Sequence, residues 1–329
     1  VCYKDEVQRQ AAKKLNKQLD GVPKFISDFF ISKPKVKSKL TQLQYWNVFK
    51  CFFNYLIDNG VINKITIQDL KIVDMQKIKT NDINRFLIYC RDDLGNSADT
   101  IKTKYNSLCS LFSYFMGDDI VTKNIMDKVE VEEPKQQSIK YATLKDRDDL
   151  IHNLGNMKNE FNRIRNIAIV YLLMGSGIRI SELIGLNMDD LHLNDKNPWI
   201  FVYRKGGETS QVYISYEAKI ALEEYLLIRP ERVGDSNKNI VFLSERVDKK
   251  TGCKKRIAYS TIAEFLDIYS NGKITAHMFR KGLAKLIVNS DNGGYSAAAQ
   301  QLGHSTIATT KRWYATINED KIVSVLNSF

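Results

Sequence analysis

WIFVYRKGGETSQVYIS, residues 199–215, interrupts a chain that otherwise reads as helix. Two runs rich in β-branched and aromatic residues flank a Lys-Gly-Gly turn, which predicts an antiparallel hairpin. Around it the apolar spacing is helical. Helices are predicted at about 144–154, 160–174 and 179–187 before the hairpin, then at 216–228, 260–269, 275–289, 294–301 and 305–315 after it. A short strand is predicted at NIVFL (239–243), and the following SERVDKKTGCKKR reads as a long basic loop. Thr143 opens this part as an N-cap with Asp146 at N3, the pattern of a capping box. The fold class expected is mainly α with a small antiparallel β-sheet.

Upstream, residues 4–20 read as a short charged helix stopped by GVP (21–23). PKFISDFFI, SKLTQLQYWNVFKCFFNYLIDNG, TNDINRFLIYCRDDLG and SADTIKTKYNSLCSLFSYFM then follow as helices. In the second of these Leu43, Trp46, Phe49, Phe53, Leu56 and Ile57 recur at steps of three or four, and Gly60 is a C-terminal stop. VEVEEPKQQSIKYA (129–142) has no such stripe and carries a proline and alternating charge, so it reads as an extended linker. The division expected is an N-terminal helical extension (1–20), a helical bundle (21–126), a linker (127–142), a mixed domain (143–316) and a tail helix (317–329). No repeat of 20–50 residues and no low-complexity tract is visible, which argues against a solenoid.

The chain has 329 residues, enough for two cores, and a formal net charge of +11. Its sequence pI is about 9.2. Such an excess favours a polyanionic partner, with nucleic acid foremost. No apolar run approaches the roughly 18 to 20 residues of a membrane span; the longest, IAIVYLLM (167–174), reads as a buried helix. The five cysteines, Cys2, Cys51, Cys90, Cys109 and Cys253, are widely spaced without a C-x-x-C pair, as expected of reduced thiols in a cytoplasmic protein. The polar N-terminus lacks a signal peptide pattern, and Val at position 1 leaves open a preceding segment.

Three stretches place cations where burial or a helix dipole disfavours them. In TAHMFRKGLAKLIVN the helix buries Phe279, Leu283, Leu286 and Ile287, while His277 and Arg280 share another face in its first turns. A helix N-terminus repels cations and attracts anions, so a bound anion would resolve the conflict; a solvated basic face is the bland alternative. In MGSGIRISELIGL (174–186) two glycines break an apolar helix and Arg179 starts the next among Ile178, Ile180, Leu183 and Ile184. Glu182 either satisfies that guanidinium alone or orients it so that its other edge grips a phosphate. QQLGHSTIATTKRWYAT (300–316) sets His304 in a glycine-led loop and Tyr314 on a helical stripe with Ile307 and Thr310, a position that suits a core aromatic or a shielded nucleophile. Lys205 sits at the hairpin turn, where most lysines are merely solvated. His152 and His192 have no such context and read as ordinary residues. The histidines and cysteines lack metal-ligand spacing, and no nucleotide-binding G-x-x-x-x-G-K-[ST] loop occurs.

Taken in order, Arg179 in GSGIRISEL, Lys205 on a hairpin, His277-x-x-Arg280 opening a helix, His304 in LGH and Tyr314 ten residues later resemble the tyrosine recombinase (phage integrase) family. The resemblance covers the second domain, and the bundle before it looks like the family's SAM-like core-binding domain. It implies that Tyr314 is the nucleophile, that Arg179, Arg280, His277 and His304 surround a phosphodiester, and that Lys205 is the general acid. Glu182 would support Arg179. RKGLAKL replaces the RRTFAT of many members, outside the catalytic positions. The resemblance further implies cleavage through a 3′-phosphotyrosyl ester, with no metal, ATP or other cofactor, on double-stranded DNA clamped between two domains. Strand exchange would run through a Holliday junction in a homotetramer, with an accessory DNA-bending or directionality protein in some systems. Lys37, Lys39, Lys102 and Lys104, near helix starts in the first domain, are candidate backbone contacts. A cytoplasmic, nucleoid-associated site of action follows. The helix before residue 20 and the basic loop exceed what a minimal chromosome-dimer resolvase needs, which favours a mobile-element integrase or transposase. A dimer resolvase, a type IB topoisomerase and a non-catalytic DNA-binding protein remain alternatives.

Overall fold

The computed structural model describes residues 3–32, 38–133, 139–204, 208–229, 239–247, 249, 252–290, 293–303 and 306–308. The chain divides into two compact units, Val1–Gln137 and Ser138–Phe329, and the division falls within the stretch expected as a linker.

The first unit is helical: α1 (Tyr3–Leu19), α2 (Lys24–Ser27), α3 (Phe29–Ser32), α4 (Lys39–Asp58), α5 (Ile72–Met75), α6 (Thr80–Asp92) and α7 (Ala98–Gly117). The hydroxyls of Ser38 and Ser97 accept from the backbone N–H of Thr41 and Thr100, so each long helix starts on a side-chain cap. The apolar stripe of α4 is wider than its sequence spacing suggested. Trp46, Val48, Phe49, Phe52, Phe53 and Leu56 are buried, whereas Leu43 and Ile57 are only partly covered. Rings meet edge to face at their centre: Phe52 lies 5.1 Å from Phe86 and 6.3 Å from Phe112. Helix α1, expected as a separate extension, packs on α4 and buries Ala11 and Leu15, and Gln8 accepts from the Lys39 backbone N–H at 2.7 Å. Val129 and Val131 likewise pack on this core, so the first part of the expected linker belongs to the unit.

The second unit comprises α8 (Leu144–Leu154), α9 (Glu160–Ser176), α10 (Ile180–Gly185), β1 (Leu191–His192), β2 (Trp199–Tyr203), β3 (Thr209–Tyr213), α11 (Tyr216–Ile228), β4 (Leu243–Val247), β5 (Lys254–Arg256), α12 (Tyr259–Ser270), α13 (Ala276–Asn289) and α14 (Tyr295–Leu302). The capping box at Thr143 forms: its hydroxyl accepts from Asp146 N–H at 3.1 Å, and the Asp146 carboxylate accepts from Thr143 N–H at 2.8 Å. Helix α9 is the central element, with α8, α11 and α13 packed against it. The predicted hairpin pairs Trp199 with Tyr213 and Tyr203 with Thr209, turning Ile200, Val202 and Val212 inward. A two-residue strand, β1, adds a third strand beside β2, and there His192 stacks on Trp199 at 3.7 Å.

Four expectations need correction. The strand placed at 239–243 begins only at Leu243; Ile240, Val241 and Phe242 are buried, with a single bridge from Ile240 to Asn187. The segment read as a basic loop carries the antiparallel β4–β5 pair. Along β4 only Leu243 is buried, so the charged residues that follow show no period-two pattern from which a strand could be read. On α13, Leu286 is 43% exposed rather than buried. Ile307, expected to pack, is 45% exposed. Most of the helix expected at 305–315 and the whole tail 317–329 lie outside the described residues.

The segment entering the second unit is fastened to α13. Ala142 N–H donates to the Met278 carbonyl at 2.9 Å, and a Cβ on Gly282 would stand 2.0 Å from the Ala142 carbonyl oxygen. Lys285 donates to the Tyr141 hydroxyl at 2.6 Å and lies 4.0 Å from the centre of its ring. The departure in RKGLAKL therefore has a physical counterpart: glycine at 282 admits the backbone that a threonine would displace.

Candidate active site

Four elements of the second unit converge at the end of α9. Gly177, in the left-handed region, closes that helix, and Arg179 becomes the N-cap of α10. Glu182, one turn on, holds both ends of Arg179. Its carboxylate accepts from the Arg179 backbone N–H at 2.8 Å and from a guanidinium nitrogen at 2.6 Å. Glu182 is buried, whereas the Arg179 side chain is 39% exposed. One edge of the guanidinium is thus fixed by a carboxylate and another faces outward.

Arg280 lies on the first turns of α13 and is 3% exposed. It donates to the Gly177 carbonyl and to the Leu302 carbonyl, each at 2.6 Å. These acceptors orient the guanidinium without neutralising its charge. His277, one turn earlier on α13, is solvent-exposed at its surface. Its pKa is nevertheless lowered, first by loss of hydration and then by Lys281, Arg280 and Arg179, so the imidazole favours its neutral, proton-accepting form.

Arg204 was not singled out in the sequence. It follows β2, is 4% exposed, and donates to the Leu302 carbonyl and, at 3.1 Å, to the Gln301 carbonyl. Its pKa is lowered by burial; Glu182 opposes that effect and Arg179 adds to it. Gly303 makes the arrangement possible. Its φ is +60°, and a Cβ there would stand 2.1 Å from the Arg204 guanidinium carbon. The signal available beforehand was the juxtaposition of a basic residue with the hairpin turn, which gave no sign of an acceptor 98 residues downstream.

Arg179, Arg204, His277, Arg280 and Lys281 therefore share one electrostatic neighbourhood with Glu182. Cations so placed, two of them buried, suit an anion with several oxygens. Of the six residues implied by the resemblance, Arg179, His277 and Arg280 are brought together. Lys205, His304 and Tyr314 lie outside the described residues; Arg204 and Gly303, the chain neighbours of the first two, lie at this centre.

The candidate contacts of the first unit differ from one another. Lys37 lies outside the described residues. Lys39 is exposed and donates to Gln42 at 2.9 Å. Lys102 pairs with Glu133, and Lys104 turns onto the Cys90 sulfur at 3.3 Å. Among the described residues no group of three His, Cys, Asp or Glu side chains stands close enough to hold a metal ion, and no helix is long and apolar enough to cross a membrane.

The chain is thus a helical unit followed by a mixed unit with a small sheet, the second carrying a cluster of arginines around a histidine. The phage integrase family model matches residues 143–321, and the chain belongs to that family. It is accordingly a tyrosine site-specific recombinase, an enzyme acting by transesterification. Tyrosine recombinase XerS of Streptococcus uberis is 27% identical over 340 residues, covering 91% of this chain and 94% of that protein. Among solved structures, XerH site-specific recombinase bound to palindromic difH substrate in a post-cleavage complex aligns over 97% of this chain and 89% of its own. Its TM-score is 0.67 at 15% identity. The Tn1549 transposon integrase in complex with circular intermediate DNA covers 85% of this chain and 98% of its own, with TM-score 0.60 and 17% identity. Both share the fold.

Proposed function

We propose that the chain cuts and rejoins duplex DNA at specific sites through a covalent 3′-phosphotyrosyl bond at Tyr314. The observation that carries this reading is the pair Arg179 and Arg280, both oriented by internal acceptors, beside His277, whose pKa is lowered by burial and by these cations. A phosphodiester resists attack because its charge repels a nucleophile, and the transition state gathers more charge on the nonbridging oxygens. Fixed guanidinium donors stabilise that charge without reorganising. The Tyr314 oxygen attacks phosphorus, its proton passes to His277, and the bond to the 5′ oxygen breaks as Lys205 supplies a proton to it. His304 adds a donor to the phosphate. A free 5′ hydroxyl then reverses the reaction, so the phosphoester bond is conserved and no nucleotide hydrolysis is needed.

DNA as partner is supported by the net charge of +11 and by the DNA-bound state of the XerH and Tn1549 structures with the same fold. In this reading the two domains clamp duplex DNA in the cytoplasm, at the nucleoid, and four protomers exchange strands through a Holliday junction, with or without an accessory protein. Lys39 is the favoured backbone contact of the first unit, because it is exposed and its amine meets only the neutral Gln42 amide among the described residues, whereas Lys102 is paired with a carboxylate and Lys104 turns onto Cys90. On the same reading the chain serves a mobile element as integrase or transposase, with chromosome-dimer resolution as the alternative. Directly repeated candidate sites from the DNA flanking the gene, set against element ends in the same plasmid assay, separate chromosomal resolution from transposition.

The test of the chemistry is a nicked suicide duplex. The wild-type chain should become covalently joined to DNA in excess EDTA and without ATP, and Tyr314→Phe should bind yet form no adduct. An adduct at another tyrosine, or a requirement for magnesium, overturns the reading.

A further inference from the structure

Leu302 offers one backbone carbonyl to two buried guanidinium groups. Arg280 reaches it from α13 at 2.6 Å, and Arg204 reaches it from the end of β2. Arg204 also donates to the Gln301 carbonyl at 3.1 Å, so its fork spans the last two residues of α14. Those carbonyls are at the negative end of that helix, where a cation is favoured. The Gln301 side chain extends the tie, donating to the Ser176 carbonyl at 3.0 Å and the Tyr213 carbonyl at 2.7 Å. Strand β3, the end of α9 and the end of α14 are thereby fastened at one point. The following residue, Gly303, leaves the space the Arg204 guanidinium fills.

Two consequences follow from chain adjacency alone. Lys205 is the next residue after Arg204, and His304 is the next after Gly303. A planar fork between Arg204 and the end of α14 fixes the residues that immediately precede both. Lysine cannot reproduce it, because an ammonium is a point charge without paired, coplanar donors.

We infer that Arg204 is a positioning residue for strand cleavage: through the Leu302 and Gln301 carbonyls it sets the hairpin base and the Leu302–Gly303 turn relative to Arg280. It touches no DNA. This inference rests on the proposed recombinase reading and adds to it a residue that the six implied by the resemblance do not include.

The experiment is single-turnover cleavage of a suicide duplex by the full chain, with DNA affinity measured separately by gel shift and folding by thermal melting. Arg204→Ala and Arg204→Lys should bind the duplex as tightly as wild type while cleaving about 10²-fold more slowly, the cost of a misplacement of around an ångström. Guanidinium ion at millimolar concentration should restore part of the Arg204→Ala rate and none of the Arg204→Lys rate, since lysine still occupies the space. If Arg204→Ala does not fold, Arg204→Lys decides: a folded lysine variant that cleaves at the wild-type rate overturns the inference. So does a loss of affinity equal to the loss of rate. Failure of the recombinase reading itself looks different, because wild type would then form no adduct at Tyr314.

Discussion

The first unit buries rings and the second buries arginines as well. Phe29, Phe49, Phe52, Phe53, Phe86, Phe112 and Phe115 fill one core, where the buried Asp74 is balanced by Lys77 at 3.0 Å and Lys64 at 4.0 Å. The second unit buries rings too, among them Tyr225, Phe242 and Phe279, but it also encloses Arg165, Arg204 and Arg280, held largely by backbone carbonyls. Burying a guanidinium costs more than burying a ring of similar size, so it is retained where charge is needed or where no other donor reaches. Arg165 is of the second kind. It ties Asn166 and the Leu243 carbonyl at 2.9 and 3.0 Å, and the charges that bear on it are those of Tyr225 and Glu245. Arg280 is of the first kind, since a histidine stands beside it, and Arg204 is a tie set within the same group of cations. The lesson is that a buried arginine marks a site when other cations share its surroundings, and only a structural tie when they do not.

The contrast predicts that a ring in the first unit governs stability while a guanidinium in the second governs rate. Phe53→Ala should destabilise its unit by about 3–5 kcal/mol, seen as a lower denaturation midpoint, with the cleavage rate per folded molecule unchanged. A slower rate at full folding would blur the distinction. Arg179→Gln, which keeps a donor toward the buried Glu182, should do the reverse: the Arg179 side chain is 39% exposed, so melting should move less than for Phe53→Ala. Cleavage should fall about 10² to 10³-fold, roughly 3–4 kcal/mol of barrier. Unchanged cleavage would return Arg179 to a helix cap and nothing more.

A smaller effect concerns His277. Its proton-accepting form is present above its pKa, and that pKa is lowered from 6.5. The acid limb of the cleavage rate should therefore fall below pH 6.5, and His277→Gln should remove it. The same shift makes the fold lose stability as pH drops through the ordinary histidine range, because the unfolded chain then binds a proton that the folded chain does not. A limb above 6.5 would mean that another group accepts the proton. The smallest effect lies within the first unit: Lys39→Gln should reduce the salt dependence of DNA affinity by about one unit of slope, whereas Lys104→Met should leave it alone. Equal changes would show that Lys104 leaves Cys90 when DNA arrives.

The helices and the hairpin were legible because their signals are local. Thr143 with Asp146, the aromatic steps from Trp46 to Leu56, and the Lys-Gly-Gly turn each lie within a few residues of what they specify. Arg179 with Glu182 was legible for the same reason, the two being one helical turn apart. Arg204 was not, because its acceptors arrive from a distant helix end and are backbone atoms, which carry no mark in the sequence. The β4–β5 pair was missed because an exposed ribbon has no buried face to impose alternation. The strand expected at 239–243 was misplaced because a continuous apolar run such as Ile240–Phe242 can be buried without belonging to a sheet.

The carbonyl shared by Arg204 and Arg280 also imposes an order on synthesis. The ribosome releases the two arginines first, and the acceptor follows 98 residues after one and 22 after the other. A nascent or truncated chain ending before Leu302 thus contains both cations without the atom that aligns them, and it also lacks the tyrosine. On the proposed reading such fragments should not cleave DNA, because they lack both the aligning carbonyl and Tyr314.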